Sequence, residues 1–135
     1  MLLGFNENVC VCEMDLVNFT KWCCTKKETE IFKCMDTFND RICELIEKWG
    51  NSCVYKVELV GDSILLVSKS VLCMILVCKE FLKMFTVLKT ELFMDSLIDI
   101  RIGVHVGDMC GGILKKPDKY QIYGQVVNIA SRIEQ

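Results

Sequence analysis

Long apolar runs, an excess of basic charge and paired cysteine motifs are all missing from these 135 residues. The 16 Lys and Arg nearly balance the 18 Asp and Glu. No basic stripe therefore points to nucleic acid, and phosphate-backbone binding is not expected as the main activity. In the apolar middle, the longest stretch free of Lys, Arg, Asp and Glu runs from Ser70 to Cys78. That is far short of the ~20 residues a membrane helix needs, so no span is expected. Met1 to Phe5, followed by Asn6 and Glu7, lacks both a basic start and an adequate apolar run and does not read as a secretion signal. One histidine accompanies ten cysteines, and no C-x-x-C pair occurs. This spacing argues against zinc and against a redox motif.

What is present is apolar: 52% of residues are hydrophobic and 25% charged. A chain of this length buries roughly two-thirds of the surface its unfolded form exposes. One domain spanning residues 1–135 is expected, with a real core, which excludes a disordered tail or a coreless disulfide knot. Most cysteines fall within apolar patterns and read as small buried thiols in a reducing compartment, giving a cytoplasmic expectation.

Periodicity predicts the elements. Val9 to Asp15 alternates as a strand with Cys10, Cys12 and Met14 on one face. Thr25 followed by Glu28 suggests a capping box for a helix whose face is Ile31, Met35, Phe38, Ile42, Leu45 and Trp49, stopped at Gly50. Cys53–Val60 and Ser63–Ser68 flank a Gly61-Asp62 turn and read as a hairpin. Its expected helix-facing side is Tyr55, Val57, Leu59, Ile64 and Leu66. Ser70 to Ser96 reads as a second helix burying Leu72, Ile75, Leu76, Leu82, Phe85, Leu88 and Leu92. Ile98 to Val106 alternates as a strand, Gly107-Asp108 suggests a turn before Met109–Leu114, and Gly124–Gln135 closes as a helix. The order β-α-β-β-α-β is that of a ferredoxin-like (split βαβ) α+β sandwich, an antiparallel sheet with helices on one face.

Two carboxylates stand out. Asp15 ends the first strand and Asp62 tips the hairpin, and strand adjacency in this topology could bring them to one edge. A pair of Asp oxygens with little else suits Mg²⁺ or Mn²⁺, which take hard oxygen ligands and share their shell with phosphates and water. On spacing alone, a turn residue and a strand-end residue is the commoner explanation.

Four segments then resemble one family. Asp15-Leu16-Val17-Asn18-Phe19-Thr20, Lys56-Val57-Glu58-Leu59-Val60-Gly61-Asp62-Ser63, Ile100-Arg101-Ile102-Gly103-Val104-His105-Val106-Gly107 and Gly124-Gln125-Val126-Val127-Asn128-Ile129-Ala130-Ser131-Arg132 resemble the motifs D-I-V-G-F-T, K-V-E-T-I-G-D-A, I-R-I-G-I-H-T-G and G-D-T-V-N-T-A-S-R of the class III nucleotidyl cyclases. They occur in the family's order and cover nearly the whole chain. The resemblance implies a nucleotidyl cyclase-type fold and a lyase activity. Asp15, Asp62 and the carbonyl of Leu16 would hold two Mg²⁺ or Mn²⁺ ions. The ribose 3′-oxygen would attack the α-phosphorus and expel pyrophosphate. Asn128 would orient the ribose, and Arg132 would neutralise charge on the phosphorus oxygens.

The family's purine-selecting positions fall on Glu58 and Gln121. A carboxylate complements the N1–H and amine donors of guanine, whereas it would set acceptor against acceptor at adenine N1. Gln121 stands where guanylate cyclases usually carry Cys, and its amide suits either purine. GTP is therefore favoured over ATP, and the expected activity is a guanylate cyclase making cyclic GMP. By resemblance, the aspartates and the Asn–Arg pair come from different protomers, which implies a homodimer, or a heterodimer with another cyclase domain. Arg101 and His105 read as structural or interface residues. Asn18 and Gln125 depart from the family's Gly and Asp. The family's later strands, with their triphosphate-binding Lys, have no counterpart here, so a non-catalytic nucleotide-binding or dimerisation module and an adenylate cyclase stand as alternatives.

Overall fold

The computed structural model describes residues 2–49, 53–115 and 118–134. Strand β1 (Gly4–Val17) extends the expected strand at both ends. Its alternation sends Cys10, Cys12 and Met14 into one apolar core and Val9 and Val11 into a second, on the opposite sheet face. A short helix that periodicity did not reveal, α1 (Phe19–Cys24), follows; its Trp22 is buried, with the indole N–H donating to the Phe93 carbonyl at 2.9 Å.

The expected face of α2 (Glu28–Lys48) is present: Phe38, Ile42 and Leu45 are buried. The capping box is not formed. Thr25 instead closes α1, its hydroxyl donating to the Trp22 carbonyl at 2.7 Å, and Lys27 precedes α2 without a side-chain cap. The helix ends at Trp49, and the Gly50 stop lies outside the described residues.

The hairpin of β2 (Tyr55–Val60) and β3 (Ser63–Ser68) has the expected register, with Val60 opposite Ser63, Leu59 opposite Ile64 and Glu58 opposite Leu65. Gly61 takes φ +59°, a conformation its missing Cβ makes accessible. One assignment is corrected. A bulge between Lys56 and Glu58 places Tyr55 opposite Val67 and Lys56 opposite Leu66. Because side chains alternate, that one extra residue inverts every position before it. Tyr55 and Val57 pack on the second core, while Lys56 turns toward α2 and donates to Asn39 Oδ1 at 2.6 Å.

Helix α3 (Val71–Glu91) starts on Ser70, whose hydroxyl accepts from the Cys73 amide at 3.2 Å. Its buried face is Met74, Val77, Phe81, Phe85 and Leu88. Of the expected set, Leu72, Ile75 and Leu82 lie exposed, at 67%, 47% and 48%. The helix is apolar nearly all round, so its pattern does not choose a face; contact with Phe38 and the sheet does.

Strand β4 (Asp99–Leu114) runs straight through Gly107-Asp108, where a turn was expected. The 14-residue β1 supplies the reason, pairing past that point from Val9 opposite Gly107 to Gly4 opposite Gly111. Strand β5 (Lys119–Tyr123), not foreseen, pairs with the end of β4, and α4 (Gln125–Glu134) closes the described chain.

The sheet order is β2-β3-β1-β4-β5, with every neighbouring pair antiparallel, so the first four strands keep the expected ferredoxin-like arrangement in an α+β fold. Helices α2 and α3 share one face. Helix α4 covers the other, with Val126 and Ala130 against Val9, Val11 and Met109. Cys53 and Cys73 are joined in a disulfide; the other eight cysteines are free thiols, of which Cys10, Cys12 and Cys34 are buried and Cys24 and Cys110 exposed.

Candidate active site

Adjacency of β1 and β3 brings the two aspartates together. Asp15 lies opposite Ser63 on one side and opposite Arg101 of β4 on the other; Asp62 immediately precedes Ser63. The Asp62 carboxyl is pushed up to about 6, first by burial and then by the Asp15 carboxylate at hydrogen-bonding range, with Arg101 pulling the other way. Asp15 Oδ1 is buried without a hydrogen-bond partner. A carboxylate facing a carboxylate offers no donor, so the pair holds unmet negative charge. That donor set fits a hard divalent cation. Among the described residues no group of three or more His, Cys, Asp or Glu gathers for a metal, so two carboxylates need oxygen from elsewhere to complete a shell. Leu16 is buried beside Asp15, opposite Ile100 in the ladder.

The second pair also meets. Gln121 Nε2 donates to Glu58 Oε2 at 3.2 Å, and Lys119 Nζ lies 2.9 Å from the same oxygen. The Lys119 ammonium lowers the Glu58 carboxyl below its usual range, burial opposes it, and Gln121 assists. Strands β2 and β5 are the two edges of the sheet, so only its curvature joins them; Tyr55 and Tyr120 cross edge to face at 5.2 Å between ring centroids beside this contact. Periodicity missed Lys119, although it sits two residues before Gln121 and hence on the same side of an extended strand. Lys56, two residues from Glu58 in sequence, points to Asn39 instead.

Asn128 and Arg132 are exposed on α4. At 100° per residue they lie about half a turn from the buried Val126 and Ala130, so they face away from their own sheet and are not brought to the aspartates. Arg101 reads from sequence as a structural or interface residue; its position opposite Asp15 and its effect on Asp62 place it at the carboxylate pair. Gly111 lets the backbone come close, because a Cβ there would press on the Leu2 carbonyl and the Tyr120 hydroxyl, which themselves hydrogen-bond at 2.6 Å.

A family model for the adenylate and guanylate cyclase catalytic domain matches residues 4–135. The chain belongs to this family. Among curated relatives, the receptor-type guanylate cyclase gcy-23 of Caenorhabditis elegans is 29% identical over 89% of the chain and 12% of its own length. The soluble guanylate cyclase gcy-31 of the same nematode is 30% identical over 96% of the chain and 19% of its own length. The chain thus spans less than a fifth of the length of these relatives. The guanylate cyclase domain of RhGC from Catenaria anguillulae, solved in complex with GTP, superimposes with a TM-score of 0.85 at 25% identity, covering 96% of this chain and 73% of that one. The adenylyl cyclase CyaB of Pseudomonas aeruginosa shares the fold, with a TM-score of 0.85 at 19% identity over 98% and 74% of the two chains. No helix of the described residues is long and apolar enough to cross a membrane.

Proposed function

We propose that this cyclase domain is a guanylate cyclase converting GTP to cyclic GMP and pyrophosphate, acting in the cytoplasm. The observation that carries the reading is the Asp15–Asp62 pair, with a buried carboxylate oxygen lacking any partner. Asp15, Asp62 and the Leu16 carbonyl are the groups proposed to hold Mg²⁺ or Mn²⁺. When bound, two such ions acidify the ribose 3′-hydroxyl and neutralise the triphosphate. Arg101, beside the pair, adds a fixed positive charge toward the same phosphates.

Glu58 is the proposed guanine reader. Lys119 and Gln121 hold one of its oxygens and keep it ionised, which favours acceptance from the N1–H and amine donors of guanine. Asn128 and Arg132, turned away from their own sheet, suit the site of a second copy. Exposed Phe5, Ile113, Leu114 and Tyr123 supply apolar surface for that contact. In the assembled site, Asn128 orients the ribose and Arg132 stabilises charge on the α-phosphoryl oxygens.

An Mn²⁺ assay with GTP and ATP, run beside Glu58→Lys, tests the assignment. Cyclic GMP is expected from the wild type, with GTP turnover falling at least tenfold in the variant. A wild type that prefers ATP would overturn the base reading. Binding of GTP without product from either nucleotide would instead leave a nucleotide-binding module.

A further inference from the structure

Cys12 and Cys78 place their sulfur atoms 3.7 Å apart across the main core, although 66 residues separate them in the chain. We propose that they form an oxidisable dithiol, in which a hydroperoxide oxidises Cys78 and Cys12 then closes a disulfide between β1 and α3.

Exposure assigns the two roles. Cys12 is fully buried, whereas Cys78 is only half-buried and so is the sulfur a small oxidant reaches. The two thiols share this sulfur–sulfur contact, which lowers the Cys78 thiol below its ordinary range against the opposing effect of burial. The same contact, with burial, holds Cys12 well above that range. Cys10, on the same face of β1, is the competing partner; burial and the nearby Cys78 push it up to about 11.

The Cys78 thiolate sulfur attacks the terminal peroxide oxygen. The O–O bond breaks, leaving Cys78 as a sulfenic acid and releasing an alcohol or water. The Cys12 sulfur then displaces the sulfenic hydroxyl, which leaves as water with the Cys12 proton. Two thiols and one hydroperoxide thus give one disulfide, one alcohol and one water, and the two electrons lost by sulfur reduce the peroxide.

The test titrates the full chain with hydrogen peroxide, blocks remaining thiols by alkylation and maps peptides by mass without reduction. A Cys12–Cys78 linked pair, lighter by two hydrogens and reversed by dithiothreitol, should accumulate before the exposed Cys24 and Cys110 are consumed. In Cys12→Ala the Cys78 sulfenic acid should persist and be trapped by dimedone, and in Cys78→Ala Cys12 should remain reduced. Linkage of Cys78 to Cys10, or Cys12 and Cys78 still reduced when Cys24 and Cys110 are spent, would overturn the proposal. The wild-type map decides the pairing whatever the stability of the variants.

Discussion

Removing one charge from the aspartate pair separates stability from activity. In the cation-free chain, Asp62 is raised from 3.8 to about 6, so ionising it costs folding free energy above that range. Asp62→Asn should therefore stabilise the cation-free chain by about 1 kcal/mol at pH 7, allowing for solvent screening, while abolishing Mn²⁺-dependent turnover. The gain is full above about pH 6 and disappears as pH falls toward 3.8, where Asp62 is protonated in both states. Denaturant melts in EDTA at pH 4 and 7 check the sign. Lys119 behaves oppositely, because it lowers the Glu58 carboxyl from 4.5. Lys119→Met should cost about 0.5–1 kcal/mol at pH 7, as expected of a partly exposed ion pair. That cost shrinks as pH drops below 4.5 and vanishes once Glu58 is protonated in the fold; the same melts measure it. Glu58 and the two aspartates were legible as residues because each lies in a recognisable motif. Lys119 and Arg101 were not, because their roles come from which strand faces them.

At the scale of elements, legibility followed amphipathicity. Helix α2 has one apolar face, and its buried residues matched the pattern; α3 offers apolar side chains all round, and the pattern chose Leu72, Ile75 and Leu82 over Met74, Val77 and Phe81. Thermal or denaturant unfolding should rank the two faces plainly. Phe81→Ala, at a position 1% exposed and stacked with Phe85, should cost about 3–5 kcal/mol, whereas Leu72→Ala should stay within about 0.5 kcal/mol. In the hairpin, alternation gave the right register up to Glu58 and the wrong face beyond it. A bulge adds a residue without adding any mark that a period-two reading can detect. The turn expected at Gly107-Asp108 failed for a related reason: Gly-Asp favours a turn locally, but a long β1 beside it rewards continued pairing.

For the whole molecule, the position of α4 sets the decisive prediction. Asn128 and Arg132 point away from the sheet that carries Asp15 and Asp62, so in the proposed mechanism a complete site draws on two chains. Asp62→Ala and Arg132→Ala, each inactive alone, should regain activity when mixed, up to about a quarter of wild type if the chains pair at random. Activity that rises with protein concentration would accompany it, and no recovery on mixing would sink the two-chain site. What the sequence determined by itself was local and chemical: the α+β class, the hairpin and its turn, and the carboxylates and amides whose residue types suit cations and a purine. Tertiary structure alone decided which groups meet. Glu58 reaches Lys119 and Gln121 because the sheet curves its two edges together, and Asp15 Oδ1 is buried without a donor where the turn before β3 sets Asp62 against it. Such contacts depend on curvature, register and burial summed over distant segments, and no window of neighbouring residues encodes them.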